Sequence, residues 1–474
     1  MQFSYSHQLR ELPYQIDQVI DLYKRYAEPT QSFIFEYNNA GNKTMPPRFS
    51  VIGLSTLASI RVKNNALVLK TSQEDTHYPI EDATQVWPTL EQLLNEFDIN
   101  TPAHLPCFSG GWFGFWGYES VRYFEPQKLP FPNKQDLTDS ADIALMLPKQ
   151  LLILDHQQAR MWLVSYAPKG ALADLELTAN GFDWLADCTT GDVRYQFDKQ
   201  YFMQAVEQLK QHITDGEIMQ AVLSQRMCID VSGQGIDFFA KLRKASPSPY
   251  AFYVRMDNSC IFGASPETLV RSHDGQIVSF PMAGTRHRTS CEQTNQRLEA
   301  ELLNDEKECA EHLMLIDLAR NDVGKVAKLA SVSVPKMMSV EHFSHVMHIT
   351  SEVRAEQLAH TSALDVIRAT LPAGTLSGAP KIRAMQLIDQ YETVRRGLYG
   401  GGVGVLSEQN VDLAIVIRSA LIKDGCLHIQ AGAGVVADSV AVNEWQETLN
   451  KSRAMLEALG IEETKKDKEE STCY

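Results

Sequence analysis

Two short runs of this sequence carry carboxylates at the same spacing. Asp305 to Leu315 reads as a helix on which Glu308, Glu311 and Leu315 share one stripe. Further along, Asn443 to Lys451 repeats the arrangement, with Glu444, Glu447 and Lys451 on one face. A single ExxE of this kind is more often a solvated helix surface. Both stripes here adjoin apolar residues, which makes fully solvated faces uncomfortable. Four carboxylates converging from two helices repel one another unless a cation neutralises them. A hard divalent ion with oxygen ligands suits them, and Mg²⁺ keeps several waters that a substrate can displace.

Four glycine-containing segments follow strand-like runs: Pro281 to Thr285, Pro372 to Lys381, Tyr399 to Gly404, and Gln430 to Gly434. Glycine lets a backbone approach a ligand closely, although tight turns and bulges use it equally. Gly374 to Lys381 fails the spacing of a phosphate-binding P-loop. Gly432-x-Gly434-x-x-Ala437 matches the loose dinucleotide pattern, but a helix to about Gly460 follows and no second parallel strand does. A nicotinamide cofactor is therefore rejected.

The elements that must position these residues form an α+β fold of large, mainly antiparallel β-sheets flanked by helices. A short polar seam at Cys188 to Asp192 suggests a division into residues 1–190, 191–460 and a charged flexible tail, 461–474. After the seam, Asp198 caps a helix carrying Phe202, Ala205, Leu209 and Ile213, with Gly216 as its stop. Leu151 to Leu154 reads as strand. Ile415-Val416-Ile417 and Leu427-His428-Ile429 read as neighbouring strands joined by the turn Lys423-Asp424-Gly425. With 44% apolar residues the 474-residue chain can build a substantial core. Its formal charge of −15 argues against nucleic acid as a partner. There is no apolar run long enough to span a membrane, and no secretory signal is expected. The eight scattered cysteines lack any CxxC pair and read as free thiols of a cytoplasmic protein, not a disulfide framework or zinc site.

Together these pieces resemble the chorismate-utilising enzymes: anthranilate, aminodeoxychorismate, isochorismate and salicylate synthases. The likeness runs through most of Asp198 to Leu459. It rests on Phe262 to Glu267, Asp305 to Asp322 (DEKECAEHLMLIDLARND), Ser344 to His348, Gly374 to Lys381, and Gln430 to Lys451. A weaker match covers Phe108 to Tyr118 and Val121 to Glu125. The resemblance implies the shared fold of these enzymes, and a Mg²⁺ bound by Glu311 and Glu447, with Glu308 and Glu444 completing the acidic cluster. It implies that Gly284, Thr375, Tyr399, Arg418, Lys451 and the Gly432–Gly434 backbone hold the substrate. Arg418 taken alone could equally form a structural salt bridge. Glu267 takes the place of the general acid that expels the C4 hydroxyl, which requires a raised pKa. His348 matches the residue linked to pyruvate loss, and Thr285 and Gln220 join the catalytic set.

Gln220 stands where the water-activating branches place a Lys, which favours ammonia as nucleophile. Ala283 stands where typical aminodeoxychorismate synthases carry a Lys. The resemblance therefore implies amination of chorismate at C2 and aromatisation to anthranilate, in tryptophan biosynthesis. The alternative is the aminodeoxychorismate synthase of folate biosynthesis. There is no glutaminase nucleophile elbow around any cysteine, so ammonia is expected from a separate glutamine amidotransferase subunit. A regulatory tryptophan pocket is implied at Glu36, Arg48, Pro249 and Tyr250. Tyr37 and Ala251 depart there from the family's Ser and Met.

Overall fold

A computed structural model describes residues 3–15, 18–38, 47–184, 188–342, 346–407 and 410–461. The expected tail from Glu462, Cys473, and the Ser344-His345 part of one motif lie outside the described residues. The elements that build the site are strands β1 (Gln31–Tyr37), β2 (Phe49–Lys63) and β3 (Ile143–Asp155); helix α1 (Lys199–Thr214); strands β4 (Gln220–Val231), β5 (Tyr250–Met256), β6 (Ser259–Ser265), β7 (Thr268–His273) and β8 (Met282–His287); helix α2 (Glu306–Gly324); strand β9 (Val346–Glu356); helix α3 (Lys381–Tyr391); strands β10 (Gly402–Leu406), β11 (Val411–Ile415), β12 (Ser419–Lys423) and β13 (Cys426–Val435); and helix α4 (Ala441–Leu459).

The architecture is α+β with an extensive antiparallel sheet, as expected. Hydrogen bonds run in one path from β4 to β13, β12, β6, β5, β1, β2 and β3. From β3 the path continues through the strand Trp112–Trp116 to β10, β11 and β7. The short strand Gln276–Ser279 then joins β7 to β9. Strands from before residue 190 thus bridge two groups of strands that follow it. Nearly every residue of β3 and β4 is buried; β3 reads as two apolar runs broken at Lys149-Gln150, whereas β4 also buries the polar Gln220, Ser224, Gln225 and Arg226.

Helix α1 starts as anticipated: the Asp198 side chain accepts the Tyr201 N–H at 2.7 Å, and Phe202, Ala205 and Leu209 are buried. Asp305 caps α2 through the N–H groups of Lys307 and Glu308, which fixes the phase of the first ExxE. Gly460, at φ +73°, closes α4.

Two local readings change. The neighbour of Leu427–Ile429 is β12, not Ile415–Ile417. The Asp424-Gly425 turn is where expected, with φ +50° and +76° at its two central positions. Arg418, at φ +47°, bends the chain after β11 and separates Ile415 from the hairpin. The polar seam also differs: Thr190 to Asp192 open a strand, Thr190–Tyr195, that pairs with β4 through a bulge.

Candidate active site

Glu267 sits between β6 and β7 with its carboxyl buried. Its Oε1 accepts the Thr375 hydroxyl at 3.0 Å, and its backbone carbonyl is held by the Ile415 N–H at 2.9 Å. Burial pushes the carboxyl up to about 7, against the opposing pull of the Thr375 bond and of the positive Arg418 and Lys451. Arg418 faces this carboxyl from a left-handed backbone conformation, which costs a non-glycine residue of the order of 1 kcal/mol or more. Its side chain is exposed to solvent. Among the described residues its guanidinium makes no hydrogen bond or ion pair, so the salt-bridge reading falls away. A strained, unpaired cation beside a neutral acid is arranged to take an anion.

His348 lies on β9 opposite β8, at the bulge between Ala283 and Arg286. Its Nδ1 is 2.8 Å from the Gly284 carbonyl and 3.1 Å from the Thr285 hydroxyl. A carbonyl only accepts, so Nδ1 carries the proton and Nε2 the lone pair. Burial lowers the imidazole's pKa and keeps it neutral. Gly284 adopts φ +66°, and a Cβ there would come within 3.1 Å of Glu308 Oε2.

The two ExxE stripes do converge. Burial raises the Glu311 pKa, and the charges of Glu308 and Glu447 raise it further. Glu444 is raised likewise, by burial and then by Glu447, against a Ser439 hydrogen bond. Gln220 on β4 donates its Nε2 to Glu311 Oε1 at 2.9 Å, while its buried Oε1 has no hydrogen-bond partner among the described residues. A Cβ on Gly434 would meet that same Gln220 amide at 2.7 Å, so the glycine keeps a cradle open. Carboxylates crowded by burial and by one another's charge, beside an orphaned amide oxygen, fit a hard cation. No three of the four carboxylates come within 4.8 Å of one another. That separation suits an ion that keeps part of its water shell.

Lys451 bonds Glu447 at 2.6 Å and the Gly432 carbonyl at 3.0 Å. This exposed pair is worth about 0.5 kcal/mol, so it yields readily to a ligand. The Tyr399 hydroxyl lies beside Gly432, where an added Cβ would approach it to 3.0 Å. Behind it Arg396 stacks on the Tyr399 ring at 5.7 Å and bonds Glu392 at 2.6 Å, and Glu392 accepts the Ser224 hydroxyl at 2.7 Å. This buried ion pair was not foreseen, nor was Arg286, which bonds Glu308 at 3.3 Å and Asp305 at 2.8 Å. The nearest signal was the run Arg395-Arg396, which by type alone reads as surface.

Glu36, Arg48, Pro249 and Tyr250 lie around β1 and β5, where Glu36 stands opposite Ala251. Their polar groups are already engaged. Arg243 holds Glu36 at 2.6 and 2.9 Å, Asp155 holds Arg48 at 2.6 Å, and Tyr250 donates to Asp412 at 2.6 Å. The hydroxyl of the buried Tyr37 accepts the Phe108 N–H at 2.6 Å.

A neutral carboxylic acid, a neutral imidazole, an unpaired arginine and a carboxylate cluster together equip the site for acid–base elimination on an anion. The chorismate binding enzyme family matches residues 37–457. Anthranilate synthase component 1 of Pseudomonas aeruginosa is 39% identical over 94% of this chain and 94% of its own length. The Aquifex aeolicus protein of the same name is 41% identical over 79% of each chain. Among solved structures, anthranilate synthase component I from Streptococcus pneumoniae superposes with a TM-score of 0.74 at 33% identity, covering 87% of this chain and 93% of that one. The menaquinone-specific isochorismate synthase of Escherichia coli has a TM-score of 0.72 at 17% identity, which shows the common fold.

Proposed function

This chain belongs to the chorismate-binding enzymes, with the anthranilate synthase component 1 proteins, and from that premise we propose how its site converts chorismate and ammonia to anthranilate, pyruvate and water. Arg418, Tyr399, Lys451, Thr375 and the Gly432–Gly434 backbone hold the two carboxylates. Glu267 delivers its proton to the C4 oxygen as ammonia adds to C2. The C4–O bond breaks, the ring double bonds shift, and water leaves. The proton shed by the new amine restores the acid. His348 Nε2 then removes the proton from C2, the C3–O bond breaks, and the enolpyruvate released becomes pyruvate.

Glu311 and Glu447, with Glu308 and Glu444 around them, would hold a Mg²⁺ that supplies positive charge for the substrate's ring carboxylate. Gln220, already bonded to Glu311, contributes no base that could activate water, which supports ammonia as nucleophile. Residues 1–190 complete the sheet, residues 191–460 carry the chemistry, and a glutamine amidotransferase subunit supplies the ammonia. On this reading the chain is a cytoplasmic lyase.

The observation that carries the proposal is Glu267, a buried acid pushed up to about 7 and facing an unpaired arginine. The test is to incubate the purified chain with chorismate, Mg²⁺ and an ammonium salt, and separately with glutamine. Anthranilate plus pyruvate from ammonium alone, lost with EDTA or Glu447→Gln, is the expected outcome. An aminated product that keeps its enolpyruvyl group, and gives 4-aminobenzoate with a lyase, would move the chain to the aminodeoxychorismate branch.

A further inference from the structure

Cysteine spacing along the chain shows no metal motif, yet the sheet assembles one across two strands. Cys426 and His428 are two residues apart on β13 and share a face of the sheet. In the antiparallel register Cys228 of β4 stands directly opposite His428. The intervening Met227, Ile229, Leu427 and Ile429 point the other way, into the core. Among the described residues, Cys228, Cys426 and His428 form the only group of three His, Cys, Asp or Glu side chains whose ligand atoms all lie within 4.8 Å of one another.

The geometry points to a binding site for a thiophilic divalent ion of the zinc class, held by Cys228 Sγ, Cys426 Sγ and His428 Nδ1. The Cys228 sulfur is 3.3 Å from His428 Nδ1. A tetrahedral ion with Zn–S about 2.3 Å and Zn–N about 2.0 Å sets those two atoms about 3.5 Å apart. That pair therefore needs to move only a few tenths of an ångström, and Cys426 Sγ lies within 4.8 Å of both. The donor set of two thiolates and an imidazole selects a borderline-soft metal and discriminates against Mg²⁺, which the all-oxygen cluster around Glu311 suits. Cys228 and His428 are buried, while Cys426 keeps partial exposure and offers the entry path. Asp230 stands opposite Cys426 on the same face, but Arg194 holds its carboxylate at 2.6 and 2.7 Å. The fourth position falls to water.

Binding displaces one proton from each thiol to solvent, and His428 contributes a neutral lone pair. The neighbouring Cys228 thiol, and then burial, push the Cys426 thiol up to about 12, so without a cation it stays protonated. Arg226 and Gln430 form the next cross-strand pair on this face, bonded to each other at 3.0 Å, and Gln430 donates to Ser224 at 2.8 Å. An ion at this place clamps the two strands whose far ends present Gln220 and Gly432 to the active site.

The test uses the reduced full chain in excess Mg²⁺, titrated with Co²⁺ as optical probe and then with Zn²⁺. One equivalent of Co²⁺ per chain should develop thiolate-to-cobalt charge-transfer absorption, and Zn²⁺ should erase it. The band should be lost in Cys426→Ser, a partly exposed position, while that variant keeps its circular dichroism and its ammonium-dependent turnover. X-ray absorption on the zinc-loaded wild-type chain provides a reading independent of any variant, with two sulfurs and at least one nitrogen expected. No cobalt–thiolate band in the wild-type chain, a band that persists in Cys426→Ser, or an oxygen-and-nitrogen-only shell would each overturn the assignment.

Discussion

Glu267 owes its protonated state to burial, and that state has a measurable consequence for both rate and stability. A carboxyl pushed up to about 7 is about half protonated at neutral pH and an anion above it. The step that expels the C4 hydroxyl should therefore slow tenfold per pH unit above about 7 when ammonia itself is held constant. The folded state keeps its proton between about pH 4.5 and 7 while the unfolded chain releases it, so stability falls as pH rises through that window. Glu267→Gln removes the titration. We expect loss of turnover of at least a hundredfold, together with melting at pH 8 that is stabilised by up to about 3 kcal/mol relative to wild type. Unchanged stability at pH 8 in a folded, inactive variant would show that Glu267 is not held protonated. The motif Phe262 to Glu267 singles out Glu267 as the candidate acid. It could not disclose the cause of the raised pKa, because burial by Thr375 and Ile415 depends on segments more than 100 residues away. Arg286 and Arg396 were illegible for the same reason.

At the scale of elements, both ExxE helices formed in the expected phase because caps and 3.6-residue periodicity are local signals. The hairpin after β11 was misplaced by one strand because a single left-handed residue, Arg418, is not written in any pattern of hydrophobicity. Helix α2 is tied to the start of α3 by the largely enclosed Lys381, which bonds the buried Asp322 at 2.6 Å and the carbonyl of the buried Thr370 at 3.1 Å. The loop that carries Thr375 runs between these anchors. Lys381→Met should cost about 3 kcal/mol, the low end for breaking a buried pair, because Lys325 still reaches Asp322 at 3.0 Å. It should also raise KM for chorismate more than it lowers kcat, which steady-state kinetics would separate. At the junction of β1 and β5, the polar groups implied for tryptophan are held by other side chains. A ligand that used them would have to break the Glu36–Arg243 pair and displace Tyr37. Calorimetry with tryptophan should show no saturable heat for the wild-type chain, and a titratable signal would mean that these contacts yield.

At the scale of the molecule, the polar seam near residue 190 suggests a cut that the hydrogen bonds cross. Strand β5 pairs with β1 over six residues, Ala251 to Met256, and β10 pairs along its whole length with Trp112–Trp116. Removing residues 1–190 would strip both edges at once. It would also split the aromatic cluster in which Phe33 stacks on Phe113 at 3.9 Å and Phe35 packs on Tyr250 at 5.9 Å. Exposed strand edges flanked by apolar surface pair with other chains in preference to staying in water. A fragment beginning at residue 191 holds every residue of the proposed catalytic set, so composition alone gives no reason for it to fail. The sheet gives that reason. The fragment should aggregate or populate a loosely packed state without near-ultraviolet dichroism, and co-expression with residues 1–190 as a separate chain should restore solubility and turnover. A soluble, cooperatively melting fragment with ammonium-dependent activity would mean instead that the strands before residue 190 are an addition to a self-sufficient catalytic unit.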